Sequence, residues 1–136
     1  MIAALIFVIS FATLLQFFML HCRSVVAYSR RFELSDRIRE VTGLSTQQLA
    51  AGDFDHLLQL VHLCPERGDD RREIRAVGAY YTMLDILERF TRSLIPSVAA
   101  WAETERQGCT YFAAVALDRR ISYSRDLFSQ QVADRL

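Results

Sequence analysis

From Met1 to Cys22 the chain carries no charged side chain, and between Ile2 and Leu20 its polar residues are Ser10, Thr13 and Gln16 alone. A helix rises about 1.5 Å per residue, so about 20 apolar residues cross the roughly 30 Å hydrocarbon core of a bilayer. Residues 1–22 are therefore read as one transmembrane helix. A cleaved signal peptide fits less well, since it needs a positively charged start, an apolar core of about 7–15 residues and a small-x-small cleavage site. Here the apolar run is longer, and the best cleavage candidate, Val25-Val26-Ala27, lies beyond Arg23. Met19-Leu20-His21-Cys22 has a lipoprotein-like outline, but His21 stands where a small residue is required.

Orientation follows from arginine, because positively charged flanks resist translocation. Arg23, Arg30, Arg31, Arg37 and Arg39 all follow the apolar run, which places the N-terminus outside and the 114 residues after Cys22 in the cytoplasm. In that reducing compartment Cys64 and Cys109 are expected as free thiols acting as small hydrophobes. Arg23, Arg30 and Arg31 sit where they can also meet anionic lipid headgroups. Within the membrane, Ala3, Ile6, Ser10, Thr13 and Gln16 follow spacings of three and four and share one helical face. Ser10, Thr13 and Gln16 form the expected contact for a second membrane helix, belonging to a partner protein or to another copy of this chain, with Gln16 able to hydrogen-bond across it.

Beyond Cys22 no stretch alternates apolar and polar residues with a period of two, whereas several repeat at three and four. The fold class is all-α: one transmembrane helix, a juxtamembrane helical segment over 23–42, and a cytoplasmic bundle of about four helices over 43–136. The membrane helix is expected to run on through Ser24 to Phe32. In 33–42, Leu34, Ile38 and Val41 share a face, Glu33 and Arg37 form an i,i+4 pair, and Gly43 stands as a C-terminal cap. Ser45-Thr46-Gln47-Gln48 fits a capping box for a short helix closed by Gly52. Asp53 caps a helix from Phe54 to about Leu63, stopped by Pro65, with Phe54, Leu57, Leu58 and Val61 inward. Asp70-Arg71-Arg72-Glu73 reads as a second capping box opening a long helix to about Ile95. Its apolar stripe is Ile74, Val77, Tyr81, Met83, Leu84, Leu87, Phe90 and Leu94; Asp85 with Arg89 and Glu88 with Arg92 pair on its wetter side. Pro96 kinks that helix or opens the next, which carries Val98 and Trp101 and ends near Gly108. A last helix follows from Thr110 to Val132. Gly78, in mid-helix, is expected to mark a close helix crossing, since there it costs about 1 kcal/mol relative to alanine.

All sixteen basic residues are arginine. Without lysine the chain can form neither a Schiff base nor a P-loop. Zero net charge and a pI near 6.8 argue against nucleic acid as a partner. The three histidines, His21, His56 and His62, supply neither H-E-x-x-H nor the Glu-x-x-His repeat of di-iron bundles. Asp53, Asp55 and His56 suggest a metal cluster, but at a helix start the two acids already serve as cap and first-turn charge. His62-Leu63-Cys64-Pro65 contains a Cys-Pro dipeptide that resembles, over two residues, the haem-regulatory motif in which the thiolate ligates iron. The plainer reading is a core cysteine before a helix-stopping proline. Arg119, Arg120 and Arg125 face only Asp118 and Asp126 and are expected to form a positive patch for an acidic partner.

These readings point to a non-catalytic, single-pass membrane adaptor or accessory subunit of a larger membrane assembly, with no cofactor or metal. The alternative is a membrane-tethered ligand or haem sensor with His62, Cys64 or Tyr81 near its pocket. A tethered enzyme would need a site assembled from residues distant in sequence.

Overall fold

The computed structural model describes residues 1–31 and 53–136. They form four helices, α1 (Ile2–Ser29), α2 (Phe54–Leu63), α3 (Asp70–Thr91) and α4 (Pro96–Arg135), and no strand occurs among the described residues. The all-α expectation holds, and α1 is long and apolar enough to cross a membrane. The expectations placed on Leu34, Ile38, Val41, the Glu33–Arg37 pair, Gly43, the Ser45 box and Gly52 lie outside the described residues.

Helix α4 is the common packing surface, against which α1, α2 and α3 all lie, while α1 also touches α3. Between Gly108 and Leu117 every residue except Tyr111 is buried, which no single-face stripe would produce. The side chains there are mostly small: Gly108, Cys109, Thr110, Ala113, Ala114 and Ala116. Their size allows three helices to approach one. Around them gather Leu57 and Val61 of α2, Val77, Tyr80 and Leu84 of α3, and Cys22 and Val26 of α1.

Three sequence expectations are corrected by this arrangement. First, α4 is one helix of 40 residues, not two. Pro96 occupies its first turn, where the missing N–H costs nothing, and Gly108 does not end a helix but lies at a crossing. A Cβ on Gly108 would stand 2.8 Å from Val26 Cγ1 and 2.5 Å from Arg30 Nη2. Second, the crossing glycine is not Gly78, where a Cβ would meet nothing within 4 Å. Third, α3 ends at Thr91, and its buried face is Ile74, Val77, Tyr80, Tyr81, Leu84 and Glu88. Phe90 points about 200° around the helix from Glu88 and is exposed, and Leu94 lies past the helix end, also exposed.

Helix ends follow local chemistry. Cys64 is extended, at φ −82° and ψ 153°, because the ring of Pro65 excludes the helical region for its predecessor. Asp53 and Asp69 hold the N-cap positions of α2 and α3 without a side-chain cap hydrogen bond. The second capping box is thus displaced by one residue: Asp70 is the first helical residue, buried, and its Oδ2 has no hydrogen-bond partner. Asp70 and Glu73 still place negative charge at the positive end of the helix dipole. The expected run of α1 beyond the membrane stops at Ser29, whose hydroxyl donates to Val26 O at 2.7 Å.

Two glycine substitutions test this packing with opposite signs. Gly108→Ala forces α1 away from α4 and is expected to destabilise the protein by about 1–3 kcal/mol, as overpacking does. Gly78→Ala fills open space and is expected to stabilise it by about 0.5–1 kcal/mol. Thermal or chemical unfolding in detergent measures both; an unchanged Gly108→Ala protein contradicts the crossing.

Candidate functional site

The first face to consider is on α1. At 100° per residue, Ser10, Thr13 and Gln16 centre about 180° around the helix from Cys22, Val26 and Ser29, the residues buried against the bundle. The polar stripe therefore faces away from the bundle, and Ser10, Thr13 and Gln16 are all exposed. Thr13 Oγ1 donates to Ile9 O at 2.8 Å, so its proton is used within α1, while Gln16 retains the reach to another helix. The stripe continues beyond Arg23 as Ser24, Ala27 and Arg31, which are exposed as well.

Where α1 meets the bundle, Arg23 reaches across to α4 while its side chain stays 51% exposed. Arg23 Nε lies 3.7 Å from Glu105 Oε1, and its guanidinium carbon sits 5.9 Å from the centre of the Trp101 ring. Glu105 Oε2 accepts from the Tyr80 hydroxyl at 3.1 Å. Burial, reinforced by the Glu105 carboxylate, pushes the Tyr80 phenol above its ordinary pKa, so it remains a donor. Arg30 reaches over Gly108. Arg23, Arg30 and Arg31, the three residues assigned to the membrane surface, are all exposed, and Arg23 also pairs with Glu105 of α4.

Between α1, the start of α3 and α4 lies a cleft of about 260 Å³, lined by His21, Tyr28, Asp70, Glu73, Phe112, Val115 and Arg119 among others. It combines two carboxylates with a guanidinium. Cys109 is fully buried, and desolvation, then the Glu105 charge, pushes its thiol up to about 12; it stays protonated and is a poor nucleophile. Among the described residues no group of three or more His, Cys, Asp or Glu side chains is arranged to hold a metal ion.

A second polar cluster joins α3 to α4. Glu88 is buried and accepts from Arg92 Nη2 at 2.6 Å and from Arg106 Nη1. Arg106 also donates to the Tyr81 hydroxyl at 2.9 Å and lies 3.3 Å from Asp85 Oδ1. Its guanidinium carbon stands 4.9 Å from the Tyr81 ring centre, and Phe54 stacks on that same ring at 4.1 Å. The i,i+4 pairs Asp85–Arg89 and Glu88–Arg92 form as expected, but Glu88 does not lie on a wet face. It continues the series 74, 77, 81, 84, 88 at spacings of three and four, a signal of burial present in the sequence. The Arg106 hydrogen bond outweighs burial and, with Arg92, holds the Glu88 carboxyl below the usual glutamate range.

The expected basic patch does not exist as a patch. Arg120 is buried, with 2% of its surface accessible, and Nη1 donates to Val61 O at 2.8 Å, fastening the last turn of α2 to α4. It falls in phase with Ala113 and Leu117 at spacings of three and four, so its direction is the core's. Arg119 lines the cleft and Arg125 is exposed on the far part of α4. The residues named for a ligand pocket do not converge either. His62 is exposed, Cys64 is half-buried at the end of α2, and the Tyr81 ring is engaged by Phe54 and Arg106. Asp55 and His56 are exposed. Comparison with protein-family models, curated proteins and solved structures returns no match.

Glu88→Gln leaves the Arg106 charge facing a neutral amide, an expected loss of about 1–3 kcal/mol. The folded-state pKa of Glu88 is depressed, so its contribution is full above the ordinary glutamate value of about 4.3 and lost as pH falls through the lower folded value. Unfolding curves from neutral to acidic pH should show the wild type losing its advantage over Glu88→Gln at the acidic end. A constant difference across that range contradicts the assignment.

Proposed function

We propose that this protein is a single-pass membrane accessory subunit, in which α1 both anchors the helical bundle and contacts a partner helix within the bilayer. The observation that carries the reading is the division of labour along α1. Its C-terminal third is built into the bundle core through Cys22, Val26 and Ser29, whereas residues 1–17 are exposed and, apart from Ser10, Thr13 and Gln16, apolar. A bundle attached through a rigid, buried continuation of its own membrane helix holds a fixed rotation relative to that helix. The Ser10, Thr13 and Gln16 face then presents to neighbours on the side the bundle leaves open, where a second helix can approach without collision. Small and hydroxylated residues permit close approach, and a glutamine amide supplies a hydrogen bond across the interface.

The arginines after the apolar run favour an N-terminus outside and a bundle in the cytoplasm. Arg23, Arg30 and Arg31, all exposed after the apolar run, are the basic residues disposed to meet anionic headgroups. Either another membrane protein or a second copy of this chain satisfies the α1 face, and a single measurement separates them.

Native mass measurement after extraction in mild detergent should return a species heavier than one chain. Gln16→Leu should shift it towards the monomer, while Leu14→Ala, off the stripe, should not. Recovery of the wild type as a monomer contradicts the proposal, and a homogeneous multiple of one chain identifies the partner as another copy.

A further inference from the structure

The cleft between α1, the start of α3 and α4 contains a buried acceptor to which the fold supplies no donor. Asp70 lines it from the first turn of α3. Only 7% of Asp70 is accessible, and its Oδ2 has no hydrogen-bond partner among the described residues. Arg119 and His21 line the same cleft, but neither donates to this oxygen. The positive end of the α3 dipole favours a carboxylate at this position. It does not replace a hydrogen bond, and a buried acceptor without one keeps its desolvation penalty. Native folds leave few such groups, so the missing donor calls for an explanation.

The rest of the cleft narrows the chemistry of that donor. Glu73, almost one turn further along α3, is a second carboxylate in the wall, so a cation is favoured beside Asp70 and an anion is opposed. Tyr28 and Phe112 also line the cleft, and aromatic rings suit a cation. Val25 and Val115 add apolar wall. Among the described residues no three His, Cys, Asp or Glu side chains are arranged to hold a metal ion, and a bare ion would leave the apolar wall unused. An organic ammonium with a short apolar stem meets every condition: its N–H groups donate to the carboxylate, its charge is matched, and its stem covers the valines. The volume of about 260 Å³ lies a little below the range of about 300–1,000 Å³ usual for small-molecule pockets, so the group that enters is small.

We propose that the cleft is a binding site for a primary ammonium group, which donates to Asp70 Oδ2 and is countered by Glu73. A free alkylamine carries that group, and so does the ethanolamine headgroup of a phospholipid. Because α1, α3 and α4 all contribute walls, an occupant also bridges the membrane helix to the bundle. The site does not depend on what the Ser10, Thr13 and Gln16 face contacts.

Titration calorimetry of the full-length protein in detergent tests this, with n-butylamine as the probe and n-butanol as its uncharged counterpart. A charge-assisted hydrogen bond to a buried carboxylate separates the two probes by roughly ten- to a hundredfold in affinity, n-butylamine binding the tighter. Asp70→Asn should weaken n-butylamine by a similar factor, and Glu73→Gln by less. The comparison of the two probes on the wild type stands whether or not Asp70→Asn folds. No binding of n-butylamine, equal binding of n-butanol, or unchanged affinity in a folded Asp70→Asn protein overturns the proposal. Repeating the titration in phosphatidylcholine nanodiscs with and without phosphatidylethanolamine separates the two sources. Weaker n-butylamine binding where ethanolamine headgroups are present identifies a lipid occupant, and an unchanged affinity identifies a free amine.

Discussion

A helix can serve as the floor for three others only where its own side chains take up little room. In α4 that place is the stretch from Gly108 to Ala116, where Gly108, Cys109, Thr110, Ala113, Ala114 and Ala116 leave room for neighbours beside Tyr111, Phe112 and Val115. At Gly108 the backbone of α4 comes so close to Val26 and Arg30 that no Cβ fits. This crossing determines how far α1 is buried, where it leaves the bundle and in which direction its apolar part points. Were it splayed open, Cys22 and Val26 would lose their cover, the Arg23–Glu105–Tyr80 contacts would part, and the rotational phase of the Ser10, Thr13 and Gln16 face would no longer be tied to the bundle.

Around this apolar centre the charged groups act as fasteners. Arg106 gathers Glu88, Asp85 and Tyr81, and so sets the register of α3 on α4; Arg120 donates to a carbonyl of the last turn of α2; Arg23 pairs α1 with Glu105. Arginine suits the task, being planar, always charged, less strongly hydrated than lysine and able to donate to several acceptors at once. Of the sixteen arginines, which from the sequence speak first of membrane orientation, Arg23, Arg106 and Arg120 are joints between helices. Arg89 and Arg92 pair with Asp85 and Glu88 of α3, and the exposed arginines next to the apolar run are Arg23, Arg30 and Arg31.

Much of this was legible in the residues, and the failures have specific causes. The α2 boundaries, the proline stop and the all-helical class depend on nearest neighbours along the chain and were readable. The break expected at Gly108 was wrong because glycine signals a helix end and a close crossing with the same residue; only a neighbour's position distinguishes them. Gly78 misled in the opposite sense. The Arg119, Arg120 and Arg125 patch treated proximity in sequence as proximity in space, although successive helical residues point about 100° apart. Glu88 and Arg120 were assigned to solvent by their charge, whereas their phase along the helix already directed them inward.

The sequence by itself determined the helical class, the existence of a stretch able to cross a bilayer, the exclusion of lysine chemistry and the periodic face on α1, because each follows from composition or from spacing along one chain. The tertiary structure alone decided which glycine carries a crossing, which arginines are joints, and that the polar face of α1 looks away from the bundle. The physical reason is the same in each case: burial, pairing and direction are relations between elements remote in sequence, and local preference holds no information about a surface that another helix supplies.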